Sequence, residues 1–126
     1  MKAIINEVKR IWNALGYSLE GLTISIKTEA AFKTEVILLI ILLPLVLWLP
    51  IATIKKLFII ESMVLVLLAE LLNIALETCV NYISEAKHPL AKKIKDVASA
   101  AVFISLINSI SMWAWGLWDL LQTYSL

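Results

Sequence analysis

The sequence predicts an all-α membrane protein with an N-terminal amphipathic surface helix and three transmembrane helices. Hydrophobic residues make up 61% of the 126 residues, and the mean hydropathy is +0.90, whereas soluble domains contain about 45–50% apolar residues. Two windows, 36–54 and 97–118, carry no charged residue, and each has the length of about 20 residues that a spanning helix needs. We therefore expect one membrane-embedded domain over residues 1–126.

Residues 1–28 have the pattern of an amphipathic helix. Apolar side chains recur every three or four positions, and charged side chains fall between them. The apolar positions include Ile4, Val8, Ile11, Leu15, Leu19 and Leu22. Such a helix lies in the plane of the membrane surface with its polar face toward the cytosol. We expect Gly16 and Gly21 to bend or break it.

Three transmembrane helices are predicted after this segment, at about 34–54, 57–83 and 95–118. A tight outer turn around Pro50 separates the first span from the second. The second span is unusual because it contains polar residues, namely Glu61, Glu70, Asn73 and Glu77. A charged side chain near the bilayer centre costs roughly 2.5–3.5 kcal/mol on insertion scales, so we expect these residues to serve a function.

The distribution of basic residues predicts the orientation in the membrane. All of them except Lys55 and Lys56, which we place in the first loop, precede the first span or lie near the second loop. The positive-inside rule then places the N-terminus and the second loop in the cytoplasm and the C-terminus outside. Trp48 and Trp113 lie at the outer ends of their spans, as in an aromatic belt.

Glu70, Asn73 and Glu77 project from one face of the second span, since at 100° per residue they fall within about 60° of each other. Glu61 falls on the opposite face, and the pattern gives no role to Glu61 or to Cys79. Three spans of one chain cannot surround this polar face, so we expect a neighbouring subunit to cover it.

More polar residues gather at the inner level of the membrane. They are Glu29, Glu35, Glu85, Lys87, His88, Lys95, Asp96 and Ser99. Mg²⁺ is commonly held by one or two carboxylates together with phosphate oxygens, and lysines neutralise the remaining phosphate charge. A deeper glutamate can accept a proton from a lipid hydroxyl. The combination predicts a Mg²⁺-polyphosphate site at the cytoplasmic interface.

Several of these residues also have a purely structural explanation. Glu29 and Lys33 have the i,i+4 spacing of a helix ion pair, and Asn73 can form a hydrogen bond between helices. The lysines of the second loop can act only as topology signals, and His88 can be an ordinary loop residue. The sequence contains no P-loop and no Cys/His cluster for zinc, and its net charge of +1 indicates no nucleic-acid partner.

Four stretches of the chain are specific in combination: RIWNALGYSLEGL (10–22), EAAFKTE (29–35), AELLNIALE (69–77) and KHPLAKKIKDVASAAV (87–102). In order and spacing they closely resemble the prokaryotic diacylglycerol kinase family, from about residue 8 to 118. The resemblance implies a homotrimer in the bacterial inner membrane with active sites shared between neighbouring subunits. It also implies transfer of the γ-phosphate of MgATP to diacylglycerol, which gives phosphatidic acid at the cytoplasmic face.

The resemblance further implies roles for individual residues. Glu70 resembles the catalytic base, and Asn73 the asparagine that steers Glu70 or Glu77. Glu29 and Glu77 resemble the metal ligands, which also meet ATP. The other implied nucleotide contacts are Arg10, Tyr17, Ala86, Lys87, His88, Lys95 and Asp96. The implied lipid-substrate side comprises Arg10, Ser18, Ala31, Glu35, Trp48, Lys56, Glu70, Ser99 and Trp113.

Two alternative functions follow from the same sequence. The stretch HPLAKKIKD also resembles the undecaprenol kinase branch of the family, although EAAFKTE and SAAV favour the diacylglycerol branch. A small proton-coupled transporter, with Glu70 as its proton site, is an alternative of another class. The cytoplasmic group of Glu29, Lys95 and Asp96 favours the kinase because a transporter does not require it.

Overall fold

The structure is a computed structural model that describes residues 1–124. Its four helices are α1 (Lys2–Thr28), α2 (Ala30–Trp48), α3 (Thr53–Ile83) and α4 (Pro89–Tyr124). The helices α2, α3 and α4 are long and apolar enough to cross a membrane. The predicted all-α class with three candidate spans is therefore confirmed. The predicted domain, 1–126, also includes residues 125 and 126, which lie outside the described residues.

Helix α1 is continuous from Lys2 to Thr28, so the chain does not break at Gly16 or Gly21. A glycine inside a helix costs only about 1 kcal/mol relative to alanine, and each of these two is flanked by helix-compatible residues. The apolar side chains of α1 are largely exposed, including Ile4, Ile11 and Trp12. One face of this helix is thus available to a surface outside the single chain.

Glu29 is the single residue between α1 and α2. Its backbone is extended, with φ −114° and ψ 108°. Its amide donates to the Ser25 carbonyl at 3.0 Å and closes α1, while its carbonyl accepts from the Lys33 amide at 3.0 Å in the first turn of α2. Ser25 and Phe32 are buried on either side of this corner. The turn therefore fixes the Glu29 side chain at the junction of the two helices.

The first predicted span, 34–54, is shifted toward the N-terminus in the structure. Helix α2 ends at Trp48 because Leu49 is extended, with φ −61° and ψ 139°, as expected for a residue that precedes a proline. Helix α3 begins at Thr53, so the placement of Lys55 and Lys56 in a loop is wrong. Helix α4 extends past the predicted range, 95–118, at both ends.

Lys55 and Lys56 hold the ends of the two neighbouring helices. The Lys55 Nζ donates to Asp119 Oδ2 at 2.8 Å and to the Trp115 carbonyl at 3.2 Å, and it lies 4.9 Å from the Trp115 ring centroid. The Lys56 Nζ donates to the Leu47 carbonyl at 2.8 Å. Lysines commonly satisfy the unpaired carbonyls at helix C-termini, as Lys56 does for α2.

Among the described residues, the α3–α4 interface is the most extensive contact between helices. The buried residues of α4 are all small, and they are spaced by about one or two turns: Ala98, Ser105, Ser109 and Gly116. Small residues allow membrane helices to approach closely. Across this interface, the Ser62 hydroxyl forms hydrogen bonds with the Ile59 carbonyl at 2.7 Å and with the Ser109 hydroxyl at 3.0 Å. The stripe of small residues thus sets the distance between α3 and α4.

Substitution of Gly116 by alanine is expected to destabilise the protein. A Cβ at this position would lie 2.5 Å from Cδ1 of Ile59, and Ile59 is fully buried. Overpacking of this kind costs about 1–3 kcal/mol, which exceeds the gain in helix propensity of up to about 1 kcal/mol. Thermal unfolding in detergent is the measurement, and Tm should fall.

The substitution Ile59→Val provides a specific check, because it removes the Cδ1 atom that the new methyl group meets. Gly116→Ala should cost less in the Ile59→Val background than in the unmodified protein. Gly16→Ala is the matched control, since nothing lies within 4 Å of a Cβ at Gly16. Equal costs of Gly116→Ala in both backgrounds would contradict the proposed contact.

Candidate functional site

Glu70 is a buried carboxylate in the middle of α3, with 7% of its surface exposed. Glu35, in the second turn of α2, interacts electrostatically with it. The Oε2 atom of Glu35 is buried and has no hydrogen-bond partner within residues 1–124. The packing of α2 on α3 therefore brings two acidic side chains together in an interface that is otherwise mostly apolar.

A small cavity of about 120 Å³ lies beside Glu35. Its wall is mostly leucine, valine and methionine from α2, α3 and α4, and Ser109 and Trp113 of α4 complete it. Trp113 also packs against the buried cluster of Val46, Ile59 and Met63. The cavity places Glu35 near two polar side chains of α4, of which the sequence analysis did not include Ser109 in the site.

A second pocket, of about 590 Å³, lies between the end of α3 and the beginning of α4. Five implied nucleotide contacts line it, namely Ala86, Lys87, His88, Lys95 and Asp96. The Lys95 Nζ donates to Asn81 Oδ1 at 2.9 Å, and Asp96 pairs with Lys92 one turn earlier. The structure therefore brings this part of the predicted site together. We call it the loop pocket.

Local hydrogen bonds order the loop that forms this pocket. The Leu90 amide donates to Nδ1 of His88 at 3.1 Å, which caps the first turn of α4. The Ala86 amide donates to Oγ of Ser84 at 3.1 Å. Because Nδ1 of His88 is an acceptor here, the proton of a neutral imidazole lies on Nε2. His88 is thus a capping residue with one ring N–H available to a ligand.

Glu29 and Glu77 are the implied metal ligands. Glu29 is fixed at the α1–α2 corner, and Glu77 is exposed on α3. Within residues 1–124 neither carboxylate forms an ion pair, and no group of three His, Cys, Asp or Glu residues capable of holding a metal occurs among them. Mg²⁺ needs only one or two protein carboxylates when phosphate oxygens supply other ligands. The chemistry of this donor pair therefore suits Mg²⁺.

The implied nucleotide contacts on α1 are not joined to the loop pocket in one chain. Arg10 forms a salt bridge of 3.0 Å with Glu7, and Tyr17 is 71% exposed. Neither residue lines the loop pocket. The structure thus divides the implied nucleotide site between two regions of the chain.

The implied lipid-side residues are also spread over the molecule. Ser18, Ala31 and Ser99 are exposed. Trp48, which is 80% exposed, ends α2 and lies about 20 Å along that helix from Glu35 at 1.5 Å per residue. The Lys56 ammonium donates a hydrogen bond to the carbonyl of Leu47, the residue before Trp48. Trp48 and Lys56 are therefore too far from Glu35 and Glu70 to contact the same lipid headgroup.

Asn73 lines an apolar groove of about 900 Å³ between α3 and α4, where Lys93, Ser105 and Asn108 are its polar neighbours. The sequence interpretation did not include Asn108 in the site, and it also missed Asn81, which holds Lys95. Asn81 lies one turn beyond Glu77. The same-face argument that grouped Glu70 with Glu77 therefore contained the signal for Asn81.

A helical chain with three candidate spans, a buried acidic pair and a basic loop pocket defines an integral membrane protein with an embedded polar site. Comparison of the sequence with known protein families then identifies the family of this chain. The sequence profile of the prokaryotic diacylglycerol kinase family matches residues 16–117, and the chain belongs to that family.

Similar proteins named diacylglycerol kinase occur in several bacteria. The Pseudomonas aeruginosa protein is 40% identical over 107 residues, which cover 85% of this chain and 87% of the relative. The Escherichia coli K12 protein is 37% identical over 110 residues, or 87% of this chain and 90% of the relative. The Haemophilus influenzae protein is 44% identical over 94 residues, or 75% and 80%.

Proposed function

We propose that this chain is a lipid kinase that transfers the γ-phosphate of ATP to diacylglycerol and produces phosphatidic acid. The observation that carries the proposal is the buried Glu70, which faces Glu35 inside a candidate span of a chain that belongs to this family. An ionisable residue inside a membrane span marks a functional site, and we assign the Glu70 carboxylate to the hydroxyl of the lipid substrate.

Glu70 accepts the proton of the lipid hydroxyl in this mechanism. The hydroxyl oxygen forms a bond to the γ-phosphorus, the bond from that phosphorus to the β–γ bridging oxygen breaks, and ADP leaves with the bonding electrons. General bases contribute about 10²–10⁴-fold to such reactions. Asn73, less than one turn away on α3, steers the Glu70 carboxylate or Glu77.

The loop pocket is proposed to receive the nucleotide. Lys87, His88 and Lys95 supply positive charge and N–H donors for phosphate oxygens, while Ala86 and Asp96 complete the wall. Glu29 and Glu77 would hold the Mg²⁺ that accompanies ATP, and the bound ion would neutralise phosphate charge. Because Arg10 and Tyr17 lie apart from the loop pocket in one chain, we propose that α1 of a neighbouring subunit supplies them in a homotrimer.

The lipid is proposed to enter beside α1. A largely apolar groove of about 890 Å³ runs between α1 and α3, with Ser18, Gly21 and Ser25 on one side. A surface-lying α1 would open this groove to the inner leaflet. Ala31, Glu35 and Ser99 then belong to the headgroup end, whereas Trp48 and Lys56 lie toward the far ends of the acyl chains. Trp113 lines the cavity beside Glu35 and therefore lies between these two levels.

The proposed location is the bacterial inner membrane, with a cytoplasmic N-terminus and a periplasmic C-terminus. Lys55 and Lys56 lie on the outer side in this orientation, although the positive-inside rule favours lysines on the inner side. Their ammonium groups bind Asp119 of α4 and the Leu47 carbonyl of α2, so these two lysines have a role within the fold and are compatible with this orientation. The large exposed apolar surface of α2, α3 and α4 requires lipid or other subunits around the chain. A multi-pass membrane location provides the lipid, and a homotrimer provides the other subunits.

The direct test gives purified protein [γ-³²P]ATP and Mg²⁺ with diacylglycerol and with undecaprenol in parallel, in mixed micelles. We expect label in phosphatidic acid at a rate well above that for undecaprenol. The opposite order of rates would favour the undecaprenol kinase alternative. Proton movement across liposomes without ATP turnover would contradict the kinase and favour the transporter.

A further inference from the structure

The Glu35 carboxyl has an oxygen that the reaction proposed above leaves without a role. Oε2 of Glu35 is buried and has no hydrogen-bond donor within residues 1–124. A buried carboxylate oxygen without a donor is costly, because the charge loses its hydration and gains nothing in return. Among the described residues, no oxygen of Glu70 is both buried and without a hydrogen-bond partner. The two acids of the pair therefore differ in their surroundings.

We propose that Glu35 is a positioning residue that carries a proton while Glu70 is ionised, so that the pair holds a single negative charge. The O–H of Glu35 then serves the Glu70 carboxylate as a donor. This proposal deepens the proposed function and depends on it for the role of Glu70 as the base.

The physical reason is the repulsion between two like charges in a medium of low dielectric constant. Two carboxyls that share such a site do not both ionise, and one proton remains with the pair. Glu70 is the charged residue of the described chain that interacts with Glu35. The cavity wall adds only Ser109 and Trp113 as polar side chains, and neither can supply a compensating positive charge.

The cavity provides room for a water beside the Glu35 carboxyl. Its volume of about 120 Å³ exceeds the roughly 30 Å³ that one water occupies in the liquid. Because the single Ser62 proton goes to the Ile59 carbonyl, the Ser109 hydroxyl is the donor in its hydrogen bond with Ser62, and its oxygen can accept a hydrogen bond from such a water. A protonated Glu35 would thus satisfy its buried oxygen and also orient the base.

Glu35→Ala and Glu35→Gln test the protonation state. Glutamine is neutral and keeps a donor, so it imitates a protonated glutamate, whereas alanine removes the donor. We expect kcat to fall by about tenfold or more in Glu35→Ala, and Glu35→Gln to restore most of that loss. KM for diacylglycerol should change less than kcat. Folding is checked by thermal unfolding and gel filtration in detergent.

The pH dependence of kcat provides a second readout. At alkaline pH, ionisation of Glu35 removes the donor and places a second negative charge beside Glu70, so kcat of the unmodified protein should decline. Glu35→Gln should lack this alkaline decline. If Glu35→Gln is as inactive as Glu35→Ala, or only KM for the lipid rises, Glu35 is an ionised residue or a simple lipid contact and the proposal fails.

Infrared spectroscopy tests the shared proton without any kinase assay. The unmodified protein at neutral pH should show the C=O band of a protonated carboxyl, shifted in D₂O, and Glu35→Gln should lose it. Glu61→Gln is the matched control, because Glu61 is exposed on α3, and it should keep the band. Absence of the band in the unmodified protein overturns the proposal. A protein with the band that phosphorylates no lipid retains the shared proton and refutes only the proposed function.

Discussion

Replacement of Glu70 by glutamine is expected to lower kcat for diacylglycerol phosphorylation by about 10²–10⁴-fold, the usual contribution of a general base. The amide keeps the size of the side chain but cannot accept the hydroxyl proton. Removal of a buried charge from an apolar interface should not lower stability. The measurement is transfer of label from ATP to the lipid, together with Tm in detergent.

Glu61→Gln is the control for this substitution. Both glutamates belong to α3, but Glu61 is exposed and lies on the opposite face, so its replacement should leave kcat unchanged. A Glu70→Gln protein that is folded and fully active would show that another group accepts the proton. Equal losses in Glu61→Gln and Glu70→Gln would show that the assay reports a general effect of charge in α3.

The class of fold and part of the site were predictable because they depend on local patterns. Hydropathy gives the apolar stretches directly, and a 100° rotation per residue places Glu70 and Glu77 on one face of α3. The ends of the helices could be predicted less well. The sequence predicts Lys55 and Lys56 in a loop because the charge-free window ends at residue 54 and the next apolar stretch begins at residue 57, whereas in the structure their ammonium groups reach Asp119 and the Leu47 carbonyl.

The electrostatic interaction between Glu35 and Glu70 was not predictable from periodicity, because it depends on how α2 packs against α3. The small residues of α4 carried a signal that was not used. Ser105 and Ser109 are four residues apart, and Gly116 follows after seven, which is the spacing of a close helix interface. The separation of the implied nucleotide contacts into two regions could be recognised only in the structure, because distance along the sequence does not give distance in space.

Lys95 is predicted to be as important for catalysis as Glu70. Its ammonium group lies in the loop pocket, held by Asn81 Oδ1 at 2.9 Å, where it can neutralise charge that develops on transferring phosphoryl oxygens. Lys95→Met keeps much of the alkyl chain and removes the charge. We expect kcat to fall by a factor on the order of 10²–10³, typical for loss of one such electrostatic group, with Tm changed little.

The position of Lys95 also bears on the proposed sharing of sites between subunits. Asn81 lies about 16 Å along α3 from Glu70 at 1.5 Å per residue. A lysine held at Asn81 is therefore distant from the base of its own chain. A neighbouring subunit of the proposed homotrimer would have to supply Lys95 to the site that contains Glu70.

Mixing of the two inactive variants tests this arrangement. If each site combines Glu70 of one subunit with Lys95 of the next, equal amounts of Glu70→Gln and Lys95→Met chains, unfolded and reassembled together, should recover about a quarter of the normal activity, the fraction of interfaces with both residues intact in a random cyclic oligomer. Glu70→Gln/Lys95→Met chains mixed with unmodified chains are the control. They should also give about a quarter for shared sites but about a half for sites within one chain. No recovery in the first mixture, with a half in the second, would place both residues in one subunit.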